Sequence, residues 1–199
     1  MKLYIATGNA HKVEELQKML SANFPEMEVY SANALGGMPF VDENEDSFVG
    51  NAFLKARALF ELSDGQPVLA DDSGLCVDEL NGAPGIYSAR YAGSDASDAD
   101  NRMKLLDAMK DIPEGKRSGH FACVLAYIDA QGGEHSFEGK CHGSITQQAE
   151  GEGGFGYDPI FKPLGYSNTF GVLPSEIKNQ LSHRAKALEA FVKFLQGDA

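Results

Sequence analysis

Cysteine is scarce in this chain, and long apolar runs are missing altogether. Only Cys76, Cys123 and Cys141 occur among its 199 residues. Their odd number and wide spacing give neither a disulfide framework nor paired metal ligands, so reduced thiols in a cytoplasmic setting are expected. No stretch approaches the ~20 apolar residues of a membrane span, which argues against a membrane partner. The opening Met1-Lys2-Leu3-Tyr4-Ile5-Ala6 is too short for a signal-peptide core and reads as a first strand. Positive charge is also in short supply: 17 Lys and Arg face 29 Asp and Glu, a formal net charge of −12. That balance argues against a protein living on a nucleic-acid backbone. A small anion would need a local cluster of cations, helix N-termini or metal. The Walker pattern G-x-x-x-x-G-K-[ST] is absent, which argues against a P-loop NTPase. Repeats, low-complexity tracts and linkers are missing too. With 43% hydrophobic residues the chain can bury a core as one domain or two closely joined lobes.

What is present centres on Ala70-Asp71-Asp72-Ser73-Gly74-Leu75. Two carboxylates follow the apolar run Val68-Leu69-Ala70, and a Ser-Gly turn is expected after them. Neighbouring side chains of a strand point to opposite faces, so the two acids divide their work: one serves a site, the other the turn or a supporting bond. A divalent cation at a strand end is the chemistry such a pair suits.

Strand, glycine turn and helix open the chain. Residues 2–6 lead into Thr7-Gly8-Asn9-Ala10-His11-Lys12, and Val13, Leu16 and Met19 or Leu20 then recur at helical spacing. Such a turn aims backbone N–H groups at an anion, and Lys12 adds charge. A short strand is expected at 27–30. An acidic loop follows, with Asp42, Glu43, Glu45 and Asp46. A helix is expected over 47–62, capped by Ser47, with Phe48, Ala52, Ala56 and Leu59 inward. Lys55 and Arg57 sit on other parts of it, where long cations are usually solvated, and each is a modest candidate by itself. Another helix is expected over 98–110. The near-continuous apolar run 121–128 predicts a central strand buried on both faces. Strands at 135–141 and 143–147 should make the sheet mixed, and 161–170 reads as loop.

Gly151-Glu152-Gly153-Gly154-Phe155-Gly156 matches the spacing G-x-G-x-x-G. A dinucleotide site would require a helix to follow, and Tyr157-Asp158-Pro159 prevents one. The loop instead suits close approach of a flat ligand, with Phe155 and Tyr157 for stacking. Lys178, His183 and Arg184 are three candidate anion contacts. Ser182 can cap the last helix, and cations in its first turn oppose the helix dipole, which points to a negative partner.

Taken together, Thr7-Gly8-Asn9-x-x-Lys12-x-x-Glu15, the Ala70–Leu75 segment, Gly82-Ala83-Pro84-Gly85-Ile86-Tyr87-Ser88-Ala89-Arg90-Tyr91, Gly153–Pro159 and Ser182-His183-Arg184 resemble the Ham1/RdgB inosine triphosphate pyrophosphatase family. The resemblance runs from residue 2 to about 195. It implies an α/β fold with an elongated mixed β-sheet flanked by helices, in two lobes around a central substrate cleft, a homodimer and a need for Mg²⁺. It implies hydrolysis of ITP, dITP and XTP to the monophosphate and pyrophosphate, with water as co-substrate. By the same resemblance Thr7, Gly8, Asn9, Ala10, His11 and Lys12 contact the triphosphate, and Ser73 touches substrate. Phe155, Gly156, Tyr157 and Asp158 wall the base and sugar, while Lys178, His183 and Arg184 close over base and phosphate. Asp72 is the catalytic carboxylate at the metal, with Glu43 as the second metal ligand. The acidic loop departs from the family's Glu-Thr-Gly, which leaves Asp42 as Glu43's rival. A Maf-like pyrophosphatase for other nucleotides and a non-catalytic nucleotide-binding protein are the competing readings.

Overall fold

A computed structural model describes residues 1–197. Strand β1 (Lys2–Ala6) passes through an exposed turn into helix α1 (Ala10–Asn23), and β2 (Glu28–Ser31) follows. Helix α2 (Phe48–Phe60) precedes the long strand β3 (Val68–Val77). Helix α3 (Asp98–Ala108), strands β4 (Ser118–Ile128), β5 (Glu134–Ile145) and β6 (Phe161–Pro163), and helices α4 (Ser175–Leu181) and α5 (His183–Gln196) complete the order. The strands form one sheet in the order β2-β1-β3-β4-β5-β6. β1 pairs parallel with β2 and β3, whereas β5 and β6 pair antiparallel, so the sheet is mixed as expected.

Helix starts follow side-chain capping. Asn9 accepts from the N–H groups of His11 and Lys12, and Ser47 accepts from that of Gly50. Three expectations fail. Ser73-Gly74 is no turn, because β3 continues through it to Val77 and leaves Asp71 and Asp72 in mid-strand. Residues 143–147 are no separate strand, because β5 runs unbroken to Ile145. Phe161–Pro163 is strand rather than loop, since Phe161 buries its ring while its backbone pairs with Ile145.

The chain divides into two compact units. The first holds residues 1–72, 123–139 and those from 184 onward. On one face of its sheet Leu3, Ile5, Leu69 and Leu125 pack with Leu16 and Leu20 of α1 and Leu188 and Phe191 of α5. On the other face Ala6, Val68, Ala70 and Val124 pack with Ala52, Ala56 and Leu59 of α2. Alternate strand residues therefore meet different helices. Each fully buried Leu or Phe contributes roughly 1.5–3 kcal/mol. The second unit holds residues 73–122 and 140–183, around Leu75, Val77, Leu105, Phe161 and Phe170. Phe121 packs there against Phe161, with ring centroids 4.6 Å apart.

Candidate active site

The alternation that places Leu69 against α1 and α5 places Asp71 there too. Its carboxylate is wholly buried. Lys12 of α1 pairs with Oδ1, the Arg184 Nε donates to Oδ2 at 2.8 Å, and the Cys123 thiol reaches the same oxygen at 3.3 Å. Arg184 is itself 1% exposed and bonds Glu15 of α1 through Nη1 at 2.5 Å. Burial pushes the Asp71 carboxyl up, but Arg184 and Lys12 outweigh it and hold the group well below the usual carboxylate range. Burial, reinforced by Asp71, pushes the Cys123 thiol well up, so it stays protonated as a donor. The negative partner that the cations at the start of α5 demanded is thus, for Arg184, inside the protein.

Asp72 points the other way, toward α2. Its Oδ1 accepts from the Lys55 ammonium at 2.6 Å, and that ammonium lies 3.3 Å from Glu43. Lys55 is buried on the same helical face as Ala52, Ala56 and Leu59, not solvated as expected. Arg57 is exposed and pairs in bidentate fashion with Glu134. Asp72 Oδ2 is buried with no hydrogen-bond partner among the described residues. Burial raises the Asp72 carboxyl above its ordinary value despite Lys55 and Lys12, which makes it a better proton acceptor than a surface aspartate. Burial lowers the Lys55 ammonium, but Asp72 and Glu43 outweigh it and leave it raised.

Glu43, not Asp42, is the acid brought to this site. Asp42 is an exposed loop residue. Among the described residues no three His, Cys, Asp or Glu side chains converge as a ready-made metal cage. A cation here would take Asp72 and Glu43 as its protein ligands and fill its remaining positions otherwise. Nearby in the first unit, the Thr7 hydroxyl accepts from the Asn9 N–H, and Gly8, Asn9, Ala10 and His11 form the exposed approach to α1.

The remaining candidates lie in the second unit, starting with Ser73 on β3. Asp158 Oδ2 accepts from Lys178 at 2.7 Å and from the Phe155 N–H at 2.9 Å. The Lys178 ammonium lies 4.4 Å above the Phe155 ring, a cation–π contact on a half-buried aromatic. Tyr157 departs from the expected stacking role. It is 4% exposed, packs in the core and donates its hydroxyl to the Ser88 carbonyl at 2.8 Å. Burial pushes its phenol up. His183 is buried, with its ring stacked on Phe121 at 4.7 Å and 13°. Gly156 carries a positive φ of 58°, and a Cβ placed on it would meet nothing within 4 Å. Its α-carbon therefore faces open space.

Lys55, Glu15 and Cys123 join these networks although the sequence assigned them no role in a site. Glu15 closes the Thr7–Glu15 motif, and Lys55 stands three and four residues from inward apolar positions, whereas Cys123 left no signal. The model of the Ham1 family matches residues 3–194. The chain belongs to the Ham1 family. It is 47% identical over 192 residues to the dITP/XTP pyrophosphatase of Opitutus terrae, covering 94% of this chain and 95% of that one. It is 46% identical to the protein of that name from Streptomyces coelicolor, over 96% and 95% of the two chains. The Ham1 protein of Staphylococcus aureus superposes with a TM-score of 0.88 at 37% identity, covering 100% of both chains. The HAM1 protein from Coxiella burnetii gives the same TM-score at 35% identity, over 99% of both. The fold expected from the motifs, helices on a mixed sheet, is the one this family has.

Proposed function

We propose that this protein hydrolyses non-standard purine nucleoside triphosphates, namely ITP, dITP and XTP, to the monophosphate and pyrophosphate, and so cleans the nucleotide pool. Membership of the Ham1 family and the names of its relatives support the reaction. The observation that carries it is Asp72, a buried carboxylate with one oxygen on Lys55 and the other without a partner among the described residues. An orphaned buried oxygen is costly unless a ligand completes it. Hard carboxylate oxygens suit Mg²⁺, which is ordinarily held by one or two carboxylates plus phosphate and water. Asp72 and Glu43 fit that ion, and when bound it would neutralise phosphate charge and favour departure of pyrophosphate.

The chain's own residues supply the rest. Asp72 orients the attacking water and accepts its proton as the water adds to the α-phosphorus. Lys55 keeps Asp72 and Glu43 from repelling each other until substrate arrives. Thr7, Gly8, Asn9, Ala10, His11 and Lys12 take the triphosphate end. Ser73, Phe155, Gly156 and Asp158 take sugar and base, with Lys178 and His183 beside them, and Tyr157 props this group from the core. Arg184 stands behind the acids, holding Asp71. A donor aimed at a 6-keto oxygen would disfavour adenine, whose amino group leaves that donor unpaired. A homodimer in the cytoplasm belongs to the same proposal.

The test is incubation with Mg²⁺ and ITP, dITP, XTP, ATP, GTP, CTP, UTP and dTTP, scoring pyrophosphate against orthophosphate. Pyrophosphate from the first three is expected. Orthophosphate as first product would sink attack at the α-phosphorus, and a pyrimidine preference would move the protein to another substrate class.

A further inference from the structure

Residues 146–160, between β5 and β6, include Gly151, Gly153, Gly154 and Gly156, of which the first and the last two have φ of 82°, 72° and 58°. Glycine-rich backbone loses more conformational freedom on ordering than any other, so a fixed loop of this kind needs fasteners. Some are local. The Gly153 N–H donates to the Gly171 carbonyl at 2.9 Å, and Asp158 accepts from the Phe155 N–H. At Gly156 the fastening is different in kind. Its N–H donates to Asp98 Oδ2 at 2.7 Å, and its carbonyl accepts from Arg102 Nη1 at 2.7 Å. Both polar groups of one glycine are thus held by ionised side chains, the shorter and stronger class of hydrogen bond. Asp98 and Arg102 are spaced i, i+4 at the start of α3, so they lie on one face of the helix.

The rest of α3 has fasteners of its own. Ser97 and Asp100 form its capping box, and Asn101 and Leu105 are its buried residues. Asn101 also ties α3 to the preceding segment, accepting from the Ala92 N–H and donating to the Ala89 carbonyl. The grip on Gly156 comes on top of an anchored helix. Its target is the glycine whose α-carbon faces open space, next to the half-buried ring of Phe155.

We propose that Asp98 and Arg102 are positioning residues for substrate selection. They hold the Gly156 backbone, and with it Phe155, where a purine base is read. This rests on assigning the base to residues 155–158. The water, phosphate and carboxylate chemistry is assigned to β3, α1 and α2, so loosening the grip should weaken base recognition more than turnover.

The experiment compares kcat and KM for ITP and ATP in the wild type, Arg102→Ala, Arg102→Lys, Asp98→Asn and Phe155→Ala. Arg102→Ala should raise KM for ITP roughly tenfold, the scale of one charge-assisted hydrogen bond. Its kcat should change less than KM, and the ITP-to-ATP ratio of kcat/KM should fall by a similar factor. Asp98→Asn should move both quantities in the same direction by less, and Arg102→Lys should restore part of the ratio. The ratio is taken within one preparation, so partial unfolding of a variant does not enter it. An unchanged ratio in both Arg102→Ala and Asp98→Asn, or a fall in kcat with KM constant, overturns the proposal. Phe155→Ala separates the two layers. If it alters KM and the ratio while the α3 variants do not, only the grip is wrong. If Phe155→Ala also leaves them unchanged, the base assignment fails and the proposal falls with it.

Discussion

Asp71 and Asp72 are joined by one peptide bond, and the two faces of β3 treat them oppositely. On the α1–α5 face, Asp71 meets Lys12, Arg184 and Cys123, and Arg184 meets Glu15 in turn. The carboxylate is saturated and held ionised. On the α2 face, Asp72 has one lysine for two oxygens, and burial pushes it toward the neutral form. The same residue type is a brace with both oxygens engaged on one side, and on the other keeps one buried oxygen without a hydrogen-bond partner among the described residues, which is what the proposed chemistry needs. A saturated charge network fixes geometry at the cost of reactivity, whereas an incomplete one leaves coordination for a ligand.

The sharpest way to break this comparison is to neutralise the brace. Asp71→Asn leaves Arg184 and Lys12 without their main counter-charge, and removing one partner of a buried pair costs about 3–5 kcal/mol. Denaturant unfolding should show a loss of that size. A loss under about 1 kcal/mol would mean that Glu15 alone carries Arg184.

The brace should also have a pH signature. The folded carboxyl of Asp71 lies below its unfolded value, so its contribution is full above the unfolded pKa of ~3.9 and is lost as pH falls through the folded value. The Tm gap between wild type and Asp71→Asn should therefore stay constant above about pH 5 and narrow below about pH 4. A gap that widens on acidification would reverse the assignment.

Lys55→Ala sharpens the other face. It leaves Asp72 and Glu43 without the ammonium beside them, so a divalent cation should gain in effect. Millimolar Mg²⁺ should stabilise this variant on the order of 1 kcal/mol more than the wild type, read as the shift in Tm. An equal or smaller shift would separate the two acids as joint ligands. The smallest effect is expected at Cys123, a weak donor to an already saturated oxygen. Cys123→Ser keeps a donor there and should change stability by about 1 kcal/mol or less.

How much of this was legible in the chain depends on range. Period-two alternation after Val68 was enough to give Asp71 and Asp72 different faces, and helical spacing with Ser47 in front was enough for α2. The burial of Lys55 was not legible because a helical lysine usually snorkels to water, and the carboxylates of Asp72 and Glu43 that explain it are seventeen and twelve positions away. The oddity of two cations opening α5 was visible. Its resolution was not, since Asp71 lies 113 positions from Arg184. Tyr157 looked available for stacking because its loop is glycine-rich. The Ser88 carbonyl that holds its hydroxyl lies 69 positions away, in a motif whose sequence says nothing of that contact. The strand β6 was likewise invisible in three residues and exists through its pairing with β5.

The most direct test of the account is turnover and stability measured together on Asp72→Asn. Asparagine keeps the shape, can still accept from Lys55, and leaves Glu43 as that ammonium's counter-charge, so the loss of unfolding free energy should be smaller than that of Asp71→Asn and the variant should stay folded. Pyrophosphate release from dITP or ITP with Mg²⁺ should fall by roughly 10²-fold or more, the scale of a positioned base. Near-normal turnover in the folded variant would contradict the account and remove Asp72 from the chemistry.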